Sequence, residues 1–254
     1  MTPLVSVVIP AYNAERYLAE AVESVFAQTY EPVEILIVND GSTDRTEEIA
    51  HQVRVEAPPG KSVFVLSSAE NQGAAGVLWV GFLMATGHYR TFLAADDAYV
   101  DPDHLARQVE AIQAAGADWS YYRDFSTGPT LATRRPITPV WLKTRRLDPI
   151  FERSNLLRFL MLFAKNPINS SSFMVEANAY RRFGGWNPAM KNADADRDLF
   201  FRYFWKGARC VVVPGPGPFY REHPAQLSRN TAQMREGYRR AERNAISLIF
   251  RGNV

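Results

Sequence analysis

Two stretches of the chain decide its fold: VSVVIPAYN at residues 5–13 and ILIVNDGSTDRT at residues 35–46. Each begins as a continuous run of apolar, largely β-branched residues and then changes abruptly to polar and turn-forming residues. Continuous apolar strands with a helical pattern between them are typical of a parallel sheet that is buried on both faces. In such sheets, ligands bind where the strands end and the loops begin. The sequence therefore predicts an α/β fold with a ligand site at one edge of its sheet.

Strand and helix patterns alternate outward from these two stretches. Apolar residues recur at helical spacing over residues 14–29, and Asn13 is placed to cap that helix. A second helix is expected over residues 43–52, capped by Ser42 or Thr43. Further strands are predicted at residues 62–67, 89–93, 119–123, 172–176 and 209–213. Further helices are predicted at residues 73–86, 101–115, 150–163, 177–183, 196–206 and 231–250.

Residues 126–148 interrupt this alternation. They are rich in Pro, Thr and basic residues, and we expect an irregular insertion there. The sequence contains no internal repeat and no low-complexity linker. We therefore expect one α/β domain over residues 1–228, followed by a basic, amphipathic helical extension at residues 229–254.

The composition is that of an ordinary globular protein, because 46% of the 254 residues are hydrophobic and 22% are charged. The net charge of +2 gives no indication of a nucleic-acid partner. The single cysteine, Cys210, excludes an internal disulfide, and we expect it to be a core residue in a reducing compartment. Met1 leads directly into a strand pattern rather than a leader peptide, so we expect a cytoplasmic protein.

Basic residues concentrate in two segments. The first holds Arg134, Arg135, Lys143, Arg145 and Arg146. The second holds Arg235, Arg239, Arg240, Arg243 and Arg251. Such segments form either a solvated surface or a docking patch for an anionic lipid or polymer, and the sequence leaves both interpretations open.

Asp40 lies where the second strand ends, in NDGSTD. A carboxylate in this position can accept hydrogen bonds from the base or ribose of a ligand. Asp is also common in turns, where its side chain binds the backbone. Local sequence does not decide between these two roles.

Asp96 and Asp97 close the fourth strand. Adjacent carboxylates after a buried strand are electrostatically costly unless a cation neutralises them. Their oxygen atoms suit Mg²⁺ or Mn²⁺, with substrate phosphates completing the coordination shell. The alternative is a helix-capping loop that faces water, because Asp101 and Asp103 follow closely.

Two further sets of polar residues stand out in the second half. Asp194, Asp196 and Asp198 alternate near the start of a predicted helix, where the helix dipole favours negative charge. Three acids exceed what capping needs, so one of them could act as a general base. His223 follows a PGPGP break and is expected in a loop. A loop histidine can be a metal ligand or an acid–base group, and it can also have neither role.

The order of these pieces resembles glycosyltransferase family 2. The resemblance rests on VSVVIPAYNAERYL, VNDGSTDRT, ENQG followed by FLAADD, GGWNP before DADRDLFFR, and YREHPAQLS. It covers residues 5–228. The family consists of inverting enzymes of the GT-A fold, a mainly parallel sheet flanked by helices, that use nucleotide-diphosphate sugars.

The resemblance implies roles for individual positions. Asp196 matches the acid of the family's Glu-Asp pair, the general base that takes the proton from the acceptor hydroxyl. Asp97 and His223 would hold a divalent cation, Mn²⁺ or Mg²⁺, at the donor diphosphate. Asp40 would bind a uracil-like base. The residues expected to bind the nucleotide sugar are Pro10, Ala11, Tyr12, Asn13, Asp40, Asn71, Gly73 and Asp96.

The resemblance also implies how the domain is divided. Residues 1–125 would bind a nucleotide-diphosphate sugar, with a uridine nucleotide expected. Residues 126–228 would bind a saccharide or lipid-linked acceptor, and the candidates by position are residues 126–148, residues 166–172 and Trp186. The basic C-terminal helix would dock on a membrane surface, pack on the domain or pack on a second subunit of a homodimer.

Three positions depart from the family pattern. Ala94 replaces the first acid of the Asp-x-Asp-Asp motif, Leu78 and Trp79 replace an Arg-Asn pair, and Ala195 replaces the Glu beside the catalytic acid. The alternative to an enzyme is therefore a catalytically silent member that binds nucleotide sugar or acceptor as a scaffold. A sugar nucleotidyltransferase is disfavoured, because no Gly-rich, basic triphosphate loop follows the first strand.

Overall fold

The computed structural model describes residues 2–137, 154–164 and 166–251. The strands in these ranges are β1 (Val5–Ala11), β2 (Val33–Asn39), β3 (Lys61–Ser67), β4 (Tyr89–Phe92), β5 (Trp119–Tyr122), β6 (Phe125–Gly128), β7 (Arg135–Ile137), β8 (Met174–Glu176), β9 (Cys210–Val213) and β10 (Phe219–Arg221). The α-helices are α1 (Leu18–Phe26), α2 (Thr46–Val55), α3 (Ala74–Met84), α4 (His104–Ala115), α5 (Asn155–Ala164), α6 (Ala177–Phe183), α7 (Ala195–Trp205) and α8 (Thr231–Arg251).

Seven strands form the main sheet, in the order β3-β2-β1-β4-β8-β5-β9. All neighbouring pairs are parallel except those of β8, which runs antiparallel to β4 and β5. The first two strands pair in full register, from Val5 opposite Val33 to Ala11 opposite Asn39. The predicted α/β fold with a mainly parallel sheet is therefore confirmed.

Helices cover the sheet on both faces, and each face has its own core. Helices α1, α2 and α4 pack on one face, against the side chains of Val7, Ile9 and Ile35 among others. Helices α3, α5, α6 and α7 pack on the other face, where the ring of Trp119 stacks on that of Phe200 with centroids 5.4 Å apart. Burying a large apolar side chain of this kind contributes roughly 1.5–3 kcal/mol. Both faces of the sheet are thus fixed, which holds the loops at its carboxyl edge.

The first two helices begin later than the sequence predicted, and the predicted caps are wrong. Asn13 has a left-handed backbone (φ +50°), and its side chain accepts a hydrogen bond from the backbone N–H of Thr43 over 2.9 Å. In return, the N–H of Asn13 donates to Oγ of Ser42 over 3.0 Å. These residues join the loop after β1 to the loop after β2, so they are not available to cap α1 or α2.

A second sheet of three strands, in the order β10-β6-β7, lies where an irregular insertion was expected. The prediction is wrong for the residues of β6 and β7. Residues 138–148, with Lys143, Arg145 and Arg146, lie outside the described residues. So do residues 150–153, the start of the helix predicted at 150–163. The sheet depends on a distant partner, because Phe219 of β10 pairs with Ser126 of β6. Phe219 is fully buried and provides the apolar anchor that the short polar strands lack.

Helix α8 is packed on the domain. The side chains of Ala241 and Ala245 are fully buried, and Nδ2 of Asn244 donates to Oδ1 of Asp198 in α7 over 2.7 Å. In the described part of the chain, no helix is both long and apolar enough to cross a membrane. Cys210, which was expected in the core, is only partly buried at the edge strand β9.

Candidate active site at the carboxyl edge of the sheet

The loop after β4 carries Asp97 in a buried position. Oγ of Ser171 donates to its Oδ2 over 2.7 Å, and the backbone N–H of Arg221 donates to its Oδ1 over 3.1 Å. Burial, together with the adjacent Asp96 carboxylate, raises the pKa of Asp97 well above its usual range. Both oxygens of Asp97 are therefore engaged within the protein.

Asp96 has a different environment. Its Oδ2 lies 2.9 Å from Nε2 of His223, and the two side chains are 32% and 14% exposed. The His223 ring is held from its other side by Tyr17, whose centroid lies 5.0 Å away. The pair is thus fixed by packing and is still accessible from the carboxyl edge of the sheet.

Arg221, which the sequence did not single out, connects these groups. Its Nε donates to the carbonyl of Asp96 over 2.8 Å, and its guanidinium forms an ion pair of 2.8 Å with Glu20 in α1. A further bond of 3.2 Å reaches the carbonyl of Pro129. One buried arginine therefore holds three parts together: the loop after β4 that carries Asp96 and Asp97 (the acid loop), helix α1 and the second sheet.

A divalent cation fits the donor set of Asp96 and His223. Within the described ranges, no three His, Cys, Asp or Glu side chains converge on one point. Mg²⁺ and Mn²⁺ can be held by only one or two protein ligands with oxygen or nitrogen donors, because they take phosphate oxygens as further ligands. His223 was predicted as a ligand and lies at this point. The role of Asp97 as a ligand stays a prediction, because its oxygens face Ser171 and Arg221 and not His223.

Asp40, at the end of β2, is almost fully buried. Its Oδ1 accepts from the N–H of Gln72 over 2.6 Å, and its Oδ2 accepts from the N–H of Gly73 over 2.9 Å. Burial raises the pKa of Asp40, and these two hydrogen bonds oppose the shift. Asp40 therefore organises the loop before α3, the second of the two roles left open by the sequence, and its role in binding a base stays a prediction.

The same loop contacts the segment that precedes α7. The N–H of Ala74 donates to Oδ1 of Asn192 over 2.8 Å, and the N–H of Ala75 donates to the carbonyl of Lys191 over 2.6 Å. Gly73 has φ +84°, and a Cβ atom there would lie 2.6 Å from Oδ1 of Asn192. Only glycine allows this close approach. Gly73 therefore joins the loop before α7 to the loop before α3, which we call the Asp40 loop because Asp40 binds its N–H groups.

The other residues predicted to bind the nucleotide sugar lie at the same edge. Tyr12 is 51% exposed just beyond β1, next to the partly buried Pro10 and the buried Ala11. Asn71 is exposed in the Asp40 loop. Asn13 joins the first two loops, as described above.

The three acids near the start of α7 differ in their partners. Asp194 forms an ion pair with Arg197 (3.3 Å), and Asp198 forms one with Arg202 (3.1 Å). Asp196 forms no ion pair with any described residue. Burial, together with the neighbouring Asp194, raises the pKa of Asp196 to about 6. Asp196 is therefore the one of the three that is suited to take up a proton near neutral pH.

One segment before β8 contacts both groups of acids. Nδ2 of Asn166 donates to Oδ2 of Asp196 over 2.7 Å, and Ser171 donates to Asp97. Asn166 and Ser171 are separated by at most about 18 Å even if the chain between them is extended. This segment therefore links the two groups of acids.

Trp186 was a candidate for acceptor contact by its position, and the structure contradicts this. It is 3% exposed, and its ring packs edge-on against Phe82 and Phe92. Trp186 is a core residue. Among the departures from the family pattern, Leu78 is buried, Trp79 is 43% exposed and Ala195 is buried.

Comparison with known proteins places the chain in a family. The model of "Glycosyl transferase family 2" matches residues 6–182. A protein described as an uncharacterized glycosyltransferase from Nostoc sp. is 43% identical over 112 residues, which are 44% of this chain and 33% of that one. The chain spans between about a third and three fifths of the curated relatives that it matches first.

Solved structures of low sequence identity share the fold. Residues 1–349 of TarS from S. aureus, in complex with UDP-GlcNAc, match with a TM-score of 0.74 at 16% identity, over all of this chain and 68% of that one. The mannosyltransferase PcManGT from Pyrobaculum calidifontis, in complex with GDP-Man and Mn²⁺, matches with a TM-score of 0.68 at 18% identity, over all of this chain and 66% of that one. The GT-A fold is thereby confirmed, and the chain belongs to glycosyltransferase family 2.

Proposed function

We propose that the chain transfers a sugar, with inversion, from a nucleotide-diphosphate sugar to the hydroxyl group of a saccharide or lipid-linked acceptor. The observation that carries the proposal is the contact of one segment, residues 166–171, with both groups of acids. That segment binds Asp97, the neighbour of the Asp96–His223 pair that suits a diphosphate with its cation, and it also binds Asp196, which suits an incoming hydroxyl.

The chemical step uses Asp196 as general base. The acceptor oxygen attacks the anomeric carbon while the bond from that carbon to the diphosphate oxygen breaks. Asp196 takes the proton of the acceptor hydroxyl, and the nucleoside diphosphate leaves with the bonding electron pair. A raised pKa of about 6 allows the ionised form to predominate at neutral pH and still accept a proton.

The cation proposed here is Mn²⁺ or Mg²⁺, with Asp96 and His223 as its protein ligands. When bound, it would neutralise the negative charge that develops on the departing diphosphate. The complex of PcManGT contains Mn²⁺, which supports this assignment by likeness of fold. Arg221 and Ser171 then keep the acid loop in place, since both bind Asp97 from within the protein.

The donor proposed first is a UDP-linked sugar, because TarS is solved with UDP-GlcNAc and has the higher TM-score of the two complexes. GDP-mannose is the second candidate. The base would lie near Asp40 and the end of β1, where Tyr12 offers an exposed ring for stacking.

We also propose that α8 brings the site to an anionic membrane surface, where a lipid-linked acceptor resides. Arg235, Arg239 and Arg243 are exposed at four-residue spacing and form no ion pair with any described residue. Ile246 and Phe250 continue the same face and are 44% and 83% exposed. A basic stripe with adjoining apolar side chains is typical of helices that lie at a lipid surface.

A thermal-shift panel tests the donor site. UDP-GlcNAc and GDP-mannose are each added with and without Mn²⁺, and one of them is expected to raise the melting temperature only when Mn²⁺ is present. If neither nucleotide sugar stabilises the chain under any condition, the proposed donor site is wrong. Stabilisation without turnover over a broad panel of saccharide acceptors would instead favour a silent scaffold protein.

Co-sedimentation with vesicles tests the membrane surface. Vesicles with phosphatidylglycerol are expected to bind the chain and vesicles of phosphatidylcholine alone are not. The variant Arg239→Glu should weaken binding, whereas Arg54→Glu, a matched exposed arginine on α2, should not. Equal binding to both vesicles, or no binding to either, would contradict this part of the proposal.

A further inference from the structure

Asn166 is the only described side chain that donates a hydrogen bond to Asp196. The donor is Nδ2 of Asn166, the acceptor is Oδ2 of Asp196, and the distance is 2.7 Å. The bond spans 30 positions of sequence and joins the segment before β8 to the first turn of α7. It is a tertiary contact and does not cap the helix that carries Asp196.

The amide of Asn166 is held in one orientation. Its Oδ1 accepts a hydrogen bond of 3.1 Å from the backbone N–H of Ile168, two residues further along. A flipped amide would place its NH₂ group against that N–H and its oxygen against the Asp196 carboxylate, losing both bonds. Ile168 is itself buried, so the turn that orients Asn166 is fixed by packing.

The two neighbouring acids are held by charged partners, whereas Asp196 is held by a neutral amide. Asp194 and Asp198 are each neutralised by an arginine on the same helix, Arg197 and Arg202. Two charged groups act on the pKa of Asp196, and their effects oppose each other: Asp194 raises it and Arg197 lowers it. A neutral donor fixes the position of a carboxylate without cancelling its charge, which is what a general base requires.

From this geometry we infer that Asn166 is a positioning residue that fixes the general base by donating to its Oδ2. The inference rests on the proposed function of Asp196. The backbone N–H groups of Asp196 and Arg197 also donate to this carboxylate, and Asn166 supplies the one donor from a described side chain. An amide donor also stabilises the ionised carboxylate relative to the protonated acid.

Removing the donor should therefore have a directional effect on the pH profile. A net hydrogen bond lost from the ionised form corresponds to a rise of about half to one pH unit in the acidic limb of kcat/KM. In Asn166→Asp, a second carboxylate replaces the donor, and the limb should rise by more than about one unit. Loss of alignment should also lower the plateau value by about tenfold.

The experiment compares three variants, with UDP-GlcNAc or GDP-mannose as donor in the presence of Mn²⁺. Asn166→Ala removes both the donor and the turn, whereas Asn166→Asp keeps an oxygen that can accept from the Ile168 N–H. Asn187→Ala is the matched control, because Oδ1 of Asn187 accepts from the N–H of Ala189 at the same two-residue spacing and Asn187 donates to no acid in the described residues. The acidic limb should move in both Asn166 variants and remain at the wild-type position in Asn187→Ala.

A second measurement requires no turnover. The loss of melting temperature in each Asn166 variant relative to wild type should be larger at pH 8, where Asp196 is ionised, than at pH 5. If activity falls but neither the acidic limb nor this pH difference moves, Asn166 has only a structural role in its turn and the inference is overturned. If Asp196→Asn retains full activity, the proposed function itself has failed, and this outcome is distinct from the first.

Discussion

The carboxylate of Asp96 lies 2.9 Å from the imidazole of His223, although 127 positions of sequence separate the two residues. β10 makes the contact, because Phe219 exchanges backbone hydrogen bonds with Ala98, the residue after Asp97 in the loop that follows β4. Arg221, at the end of β10, binds Asp96 and Asp97 at the same time. The second sheet therefore completes the site that the main sheet begins.

The Asp96–His223 pair should be needed for the response to a divalent cation. Asp96→Asn and His223→Ala should each remove the Mn²⁺-dependent rise in melting temperature with nucleotide sugar and lower turnover by about 100-fold or more. His88→Ala is the control, since His88 is 48% exposed beside Glu176. An unchanged Mn²⁺ response in either site variant would rule out the pair as the cation's ligands.

The activity should depend on pH through Asp196. Its pKa of about 6 means that kcat/KM should fall about tenfold per unit below pH 6 and be level above it. Rates of nucleotide release between pH 4.5 and 8 measure this limb. A level profile down to pH 4.5 would show that the base is an acid with an unshifted pKa.

Asp196 should also lower stability at neutral pH. Its pKa is raised on folding from 3.8 to about 6, so the folded state binds the proton more tightly than the unfolded state. The stability is therefore complete below pH 3.8 and falls as the pH rises towards 6. Asp196→Asn should be more stable than wild type by about 3 kcal/mol at pH 8, with little gain at pH 3.5. Denaturant unfolding at the two pH values checks the sign.

Gly73→Ala should damage the connection between the Asp40 loop and the loop before α7. An added Cβ at φ +84° would meet Asn192, so we expect a loss of about 2–4 kcal/mol and lower turnover. Gly207→Ala is a matched control, because Gly207 has φ +77° with no atom within 4 Å of an added Cβ. It should show the backbone strain alone, about 1 kcal/mol, at normal turnover. Equal losses in the two variants would mean that the Asn192 contact contributes nothing.

Arg221→Lys should destabilise the site as a whole. A lysine ammonium cannot replace a guanidinium that binds Asp96, Pro129 and Glu20 in different directions. We expect a loss of about 2–4 kcal/mol in the free energy of unfolding, against no more than about 1 kcal/mol for Arg107→Lys, whose side chain is 48% exposed. A small loss for Arg221→Lys would show that the acid loop is held by other contacts.

The sequence predicted the main sheet well because its strands are locally encoded. The runs of β1 and β2 are largely apolar and are buried as that pattern requires, and the buried polar side chains of Ser6 and Glu34 hydrogen-bond to each other. The caps were predicted less well, since Asn13 and Ser42 satisfy each other's loops and not the helices that follow them. The second sheet was missed because β6 is short and polar and is stabilised by a strand about ninety residues away.

The candidate site was predictable in part because its main residues lie in short local sequence motifs. Motif order located Asp96, Asp196 and His223, which lie at the same edge of the sheet. It could not assign partners, because these come from distant side chains such as Arg221 and Asn166. The choice of Asp196 among three alternating acids likewise depends on Arg197 and Arg202, whose ion pairs are visible only in the fold.

The most direct measurement compares nucleotide release from UDP-GlcNAc and GDP-mannose by the wild-type chain and by Asp196→Asn, with Mn²⁺ and a saccharide acceptor present. The wild type should release nucleotide from at least one donor, and Asp196→Asn should bind that donor equally well while releasing nucleotide at least about 100-fold more slowly. Release at the wild-type rate by Asp196→Asn, or no release from either donor by the wild type, would contradict glycosyl transfer with Asp196 as its base.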